Sequence, residues 1–177
     1  PPFAALAMGV ETDRELDTIF STARPGETTE AYAFSDDGLM LTSTRFADQL
    51  AAVGVLPAGA LSGAFLIPVR DPGGKLEPGY APALEAAARP LTRAAALAIA
   101  ARTKTTEAER RGLVPDVYRS YRGDEVIGVW RWLPAYDFGS VPEIGCVTPQ
   151  ADPAGGLEAW QAAVSAVRDQ DCFNWGY

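Results

Sequence analysis

Polar and apolar positions alternate in two stretches of the chain, and both read as β-hairpins. In the first, Tyr32 and Phe34 alternate with Ala31 and Ala33, Asp36-Asp37-Gly38 turns, and Leu39–Thr44 returns. The second, Asp116 to Gly139, carries more information. Gly123-Asp124 reads as a two-residue, glycine-first turn, which sets a tight register. One face would then hold Arg122/Glu125, Ser120/Ile127, Tyr118/Val129 and Asp116/Arg131 as cross-strand pairs. The other would hold Tyr121/Val126, Arg119/Gly128 and Val117/Trp130, with Trp132 beyond. Opposite charges at both ends of the first face favour that register by about a few tenths of a kcal/mol each. On the second face a single arginine sits among aromatics, opposite a residue with no side chain.

Helical spacing appears elsewhere. Thr12-x-x-Glu15 is a capping box before Leu16, Ile19 and Phe20, predicting a helix over 12–23. Arg45–Val53 reads as a short helix and Leu91–Arg102 as a longer one. Phe65-Leu66-Ile67 is apolar enough for a strand inside the Gly- and Pro-rich stretch 54–82. Phe138–Ile144 is a further candidate strand, Pro149–Gly156 reads as a linker, and Gly156–Asp169 is helical by pattern. The order helix, hairpin, loop-and-helix excursion, hairpin, strand predicts an α+β fold. An antiparallel sheet would carry an N-terminal helix, and the excursion would cover one face. Residues 1–145 form the expected domain; 146–177 form a tail with a linker and one helix.

Composition narrows the function. At 177 residues the chain holds one domain, or one with an appendage. A net charge of −8 argues against nucleic acid and against an anionic membrane surface. The Ala-rich stretch Leu91–Ala101 is too short to span a bilayer. The abrupt start at Pro1-Pro2 reads as a piece cut from a longer protein. Histidine is absent, so a Ser-His-Asp triad is impossible and the commonest metal ligand is missing. Asp36 and Asp37 are adjacent in a turn and point apart, unlike a glycosidase pair. No glycine-rich stretch is followed by Gly-Lys-Ser/Thr, as a phosphate-cradling loop requires. No catalytic residue, metal site or cofactor is expected. Cys146 and Cys172 fit either a disulfide or two free buried thiols.

The candidate binding residues follow from the second hairpin. Arg119 has the forked guanidinium that suits a ligand carboxylate or phosphate. It equally suits pairing with an acid such as Asp36 or Asp137, or lying along the sheet edge. Tyr121, Trp130 and Trp132 either wall an aromatic pocket or fill a core, and Tyr32 offers the same choice. Asp137, just past the second strand, would receive a ligand amine or stabilise its turn.

Four runs carry a resemblance: Gly26–Leu50 (GETTEAYAFSDDGLMLTSTRFADQL), Arg70–Gly74 (RDPGG), Arg89–Ala100 (RPLTRAAALAIA) and Tyr118–Pro134 (YRSYRGDEVIGVWRWLP). In order and spacing they resemble Cache-type extracellular sensor domains of bacterial membrane-bound kinases and cyclases, over roughly residues 21–139. The resemblance implies a PAS-like fold outside the cytoplasmic membrane and no enzymatic activity. It implies a small-molecule ligand and flanking transmembrane helices. With Arg119 on the sheet face beneath the 54–90 excursion, that ligand would be a small organic anion or amino acid, and a homodimer is one available assembly. LPAYDFGSVPE and AVRDQDCFNWGY instead look like a non-catalytic segment of bacterial pullulanases. That gives an alternative, a fragment of a carbohydrate-active protein without its catalytic residues.

Overall fold

The computed structural model describes residues 17–20, 28–60 and 62–145. The chain divides into two compact units, Pro1–Gly145 and Cys146–Tyr177. Both cysteines and the expected helix at 156–169 lie outside the described residues. Of the expected N-terminal helix, residues 17–20 are described, and they are helical.

Five strands form one antiparallel sheet: β1 (Thr29–Phe34), β2 (Arg111–Leu113), β3 (Tyr118–Arg119), β4 (Glu125–Leu133) and β5 (Phe138–Gly145). Their order is β1-β5-β4-β2, and β3 also pairs with β4. The α+β expectation is met at this level. Between β1 and β2 runs the excursion. It contains a helix at Ala47–Ala52, a helix at Arg93–Ala100 and a one-turn 3-10 helix at Ala86–Ala88. Thr92 caps the second helix, accepting from the Ala95 amide at 3.4 Å.

Period-two alternation separates the two faces of the sheet, and the larger side chains lie on the face turned to the excursion. Phe34 on β1, Val141 on β5, Val126 and Trp132 on β4 and Tyr118 on β3 meet Met40, Leu50, Ile67, Val69, Leu76 and Ala94, Ala95 and Ala98 of the excursion. The excursion therefore lies over the sheet, as its place in the sequence suggested.

Three expectations need correction. The return of the first hairpin is not a regular strand: it makes an isolated bridge, Phe34 to Met40, and one bond from the Leu41 amide to the Ala33 carbonyl at 2.8 Å. Phe65-Leu66-Ile67 is a turn, with Phe65 at φ 59° and both Phe65 and Leu66 exposed. The left-handed backbone at Phe65 breaks the extended run that a strand needs, and only Ile67 reaches the core.

The third correction governs everything at the site. The second hairpin pairs Tyr118 with Val126 and Arg119 with Glu125. Its loop is Tyr121-Arg122-Gly123, closed by bonds from the Gly123 amide to the Ser120 carbonyl and from the Ser120 amide to the Asp124 carbonyl, both 2.9 Å. That is the three-residue loop, a turn followed by a residue in the left-handed region, and Gly123 takes that position at φ +83°. A two-residue turn would have paired Tyr118 with Val129. The register differs by three residues, an odd number, so the β3 side chains exchange faces. Arg119 turns out to the surface and Tyr118 turns in. Further along, Asp116 pairs with Arg93 at 2.9 Å rather than with Arg131, which bonds Glu107 at 2.6 Å.

The excursion holds that loop in place. The Leu76 amide donates to the Arg122 carbonyl at 2.8 Å, Lys75 faces Asp124 at 3.4 Å, and Gly74 abuts Gly123. A Cβ at position 123 would stand 2.0 Å from the Gly74 carbonyl oxygen, a backbone atom that cannot move aside alone. Gly123→Ala is therefore expected to cost about 2 kcal/mol or more in urea unfolding, since the left-handed penalty and the clash add. An unchanged unfolding midpoint would contradict this loop.

Candidate functional site

Two acidic side chains point into the core. Glu30 lies on the same face of β1 as Tyr32 and Phe34, and Glu143 lies on the same face of β5 as Val141. The register sets Glu30 directly opposite Glu143. Each is 2% exposed. Like charges in that position destabilise a strand pair, and a buried carboxylate without partners is costly. Hydroxyl groups meet both demands.

Tyr32 donates to Glu143 Oε1 at 2.7 Å and Tyr118 donates to the same oxygen at 2.8 Å. Tyr121 bonds Glu30 Oε2 and Thr44 bonds Glu30 Oε1, both at 2.7 Å. The Thr44 and Tyr121 hydroxyl oxygens are themselves 2.7 Å apart. The Arg45 amide adds a longer bond to Glu30 Oε1 at 3.3 Å. The Tyr32 and Tyr121 rings meet edge to face with centroids 5.5 Å apart, so the cluster is walled by aromatics.

Tyr118 reaches Glu143 only by crossing β4, and Gly128 makes the crossing possible. Gly128 is the β4 residue opposite Glu143, and a Cβ there would stand 2.5 Å from the Tyr118 hydroxyl. The position without a side chain is therefore a channel for a phenol, not a niche beside Arg119.

Arg122 stands at the edge of this cluster. Its guanidinium lies 3.5 Å above the Phe46 ring. Nη1 bonds Asp124 at 2.7 Å and Gln49 at 3.2 Å, while Nε is buried with no hydrogen-bond partner among the described residues.

Burial pushes the Glu143 carboxyl up to about 7, and the facing Glu30 adds to the rise. The bonds from Tyr32 and Tyr118 and the charge of Arg122 act the other way. Burial, followed by the neighbouring glutamate, also raises the Tyr32 and Tyr121 phenols well above their ordinary value, so both remain hydrogen-bond donors.

Of the residues singled out from sequence, Tyr32 and Tyr121 come together here. Trp132 is buried on the same sheet face two cross-strand pairs further along, opposite Gly139. Trp130 packs on Gly112 at the β2 edge, its indole N–H buried without a partner among the described residues. Arg119 is elsewhere: it is nearly half exposed and its Nε bonds Asp71 at 2.9 and 3.2 Å. Asp137 is exposed in the β4–β5 turn at φ 53°, six residues and about 20 Å along the strand from Glu143. The turn role of Asp137 is the one its placement shows. Glu30, Glu143, Tyr118, Thr44 and Arg122 were missed. The signal for Glu30 was present, because alternation along Glu30-Ala31-Tyr32-Ala33-Phe34 places the acid on the face of the two aromatics.

Among the described residues no cluster of acids, cysteines or histidines is arranged to hold a metal ion. No helix among them is long and apolar enough to cross a membrane. Compared with protein-family models, with curated proteins and with solved structures, the chain finds no match.

Two substitutions separate the cluster from the surface arginine. Gly128→Ala drives the Tyr118 hydroxyl off Glu143 and is expected to cost about 1–3 kcal/mol. Arg119→Ala removes a half-exposed ion pair and is expected to cost no more than about 1 kcal/mol. Urea unfolding of the two variants gives the comparison; equal losses would sink the assignment.

Proposed function

We propose that this domain is an extracytoplasmic ligand-binding sensor module of a transmembrane receptor, PAS-like in build and Cache-like in type. The ligand site is the Glu30–Glu143 cluster rather than the surroundings of Arg119. The observation that carries this reading is the placement of two opposed carboxylates and three tyrosines on the core face, directly beneath the excursion. A packed core gains nothing from such groups; apolar residues of equal volume would stabilise it as well or better. A binding site gains specificity from them.

The chemistry of the cluster selects the ligand. Two carboxylates among aromatic rings suit an ammonium group, by charge and by cation–π attraction. Arg122, with an unpartnered Nε nearby, suits a carboxylate. An amino acid offers both groups, whereas a simple organic anion would meet two acids of its own sign. Of the ligand classes the sequence suggested, the amino acid is the one this cluster favours.

Signalling would follow from the excursion. Its segment 71–76 is bonded to the Tyr121–Gly123 loop, and its Thr44 is bonded to Glu30. A ligand that separates these groups contacts the open and closed arrangements differently, which is the requirement for a population shift. The pullulanase-like alternative rests on residues 133–143, which form the β4–β5 turn and most of β5, and on residues 166–177, outside the described part; the cluster's chemistry favours the sensor reading over it.

Thermal unfolding followed while titrating α-amino acids, simple amines and short carboxylic acids tests the proposal. Saturable stabilisation is expected from amine-bearing compounds, worth about 2.7 kcal/mol at a hundredfold excess over Kd. It should vanish in Glu30→Gln and persist in Arg119→Ala. A response to carboxylic acids alone, lost in Arg119→Ala, would return the site to the surface. No response from any of the three classes removes the ligand reading.

A further inference from the structure

The oxygens around Glu30 contain one contact too many for the hydrogens their hydroxyl groups bring. Thr44 Oγ1 and Glu30 Oε1, Tyr121 OH and Glu30 Oε2, and Thr44 Oγ1 and Tyr121 OH are each 2.7 Å apart. Every such O···O contact requires a hydrogen between its two oxygens. Thr44 and Tyr121 supply one each. The amides of Arg45 and Phe46 also donate to Glu30 Oε1 and Thr44 Oγ1, at 3.3 and 3.0 Å, but place no hydrogen between any two of these oxygens. The ring closes if the carboxyl supplies the third: Glu30 donates to Tyr121, Tyr121 to Thr44, and Thr44 back to Glu30.

We propose that the Glu30–Glu143 pair holds one shared proton in the folded domain, that this proton latches the cluster closed, and that its loss frees the cluster for a cation. The ring gives the proton a seat on Glu30, and burial favours it on Glu143, whose carboxyl is raised to about 7. The two carboxyls face each other, so the proton belongs to the pair. Once it leaves, two opposed carboxylates remain in the core, and one of the three short contacts has no hydrogen in it. Both effects favour opening.

Among the described residues, the groups facing the pair are Tyr32 from β1, Tyr118 from β3, Thr44 and Arg45 from the excursion, and Tyr121, Arg122 and Asp124 from the loop and its edge. The Arg45 amide bonds Glu30, and its guanidinium Nη1 bonds the Thr29 carbonyl at 2.7 Å. The Ala47–Ala52 helix contributes the neutral Gln49, and the buried residues of the Arg93–Ala100 helix are alanines. Arg122 is already engaged by Asp124, which limits its power to neutralise a second buried charge. The chain also contains no histidine, so no ordinary side chain titrates between about pH 5.5 and 7.5. A step in that window reports a displaced carboxyl.

The direction of the effect is fixed. A carboxyl raised in the folded state stabilises the fold fully below its ordinary value of 4.5, and that contribution is gone once pH exceeds about 7. The domain should therefore lose stability between those limits, the reverse of the behaviour of a carboxylate held by a salt bridge. Replacement of the proton by an ammonium group rests on the sensor reading above; the proton itself does not.

Proton release on unfolding tests the latch without any ligand. The full chain is unfolded in urea in weakly buffered solution at about pH 6, where unfolded carboxyls are ionised. Release of about one proton per chain is expected there, and of almost none at about pH 8.5. The Glu30→Gln/Glu143→Gln chain should release none. Absence of release from the unsubstituted chain at the lower pH overturns the proposal, and so does equal release from the doubly substituted chain. If that variant does not fold, the unsubstituted chain alone decides. A failed ligand titration leaves this result unaffected.

Discussion

The structure depends on the opposition of Glu30 and Glu143 across β1 and β5. Sheets normally present apolar side chains to the layer that covers them, and this one does so along most of its length through Phe34, Val141, Val126 and Trp132. At one cross-strand pair it instead presents two acids. Keeping them there requires hydroxyl partners from four separate places: Tyr32 on β1, Tyr118 on β3, Tyr121 in the β3–β4 loop and Thr44 in the excursion. Each position constrains the backbone that carries it. The loop type, the missing side chain at residue 128 and the docking of segment 71–76 all serve to bring those oxygens within reach.

That dependence explains which parts of the fold could be read from the sequence. The helices at Ala47–Ala52 and Arg93–Ala100 and the strand at Phe138–Gly145 lie within a few residues of where periodicity placed them, because each is decided by local pattern, helped in the second helix by the Thr92 cap. The hairpin at residues 118–133 has the right strands and the wrong register. Gly123-Asp124 fits a two-residue turn when read alone. The chain instead makes a three-residue loop because Tyr121 and Arg122 both gain from lying inward, the first on Glu30 and the second on Phe46. Those are long-range contacts, and no window of a dozen residues contains them.

The consequence for the site was large because strand side chains alternate. Shifting the register by three turned Arg119 out to Asp71 and brought Tyr118 in, so the arginine picked out from sequence sits on the face opposite the two acids. Tyr32 and Tyr121 survived the change for different reasons. Tyr32 is fixed by β1, which the register of the second hairpin does not touch, and Tyr121 turns to the face of Val126 both as a strand residue beside a two-residue turn and as the first residue of the three-residue loop. The acids were overlooked because glutamate is normally a surface residue, although the alternation of β1 applies to Glu30 as well as to its aromatic neighbours.

The path of Tyr118 over Gly128 gives the domain a mechanical property. A strand of two residues has few ladder bonds to keep it on a sheet edge. Here a phenol runs beneath it like a tie-rod, across one strand and onto an acid of the next. Slackening at the acid is thereby felt at the sheet's outer margin, two strands away, without any displacement of the strand lying between them.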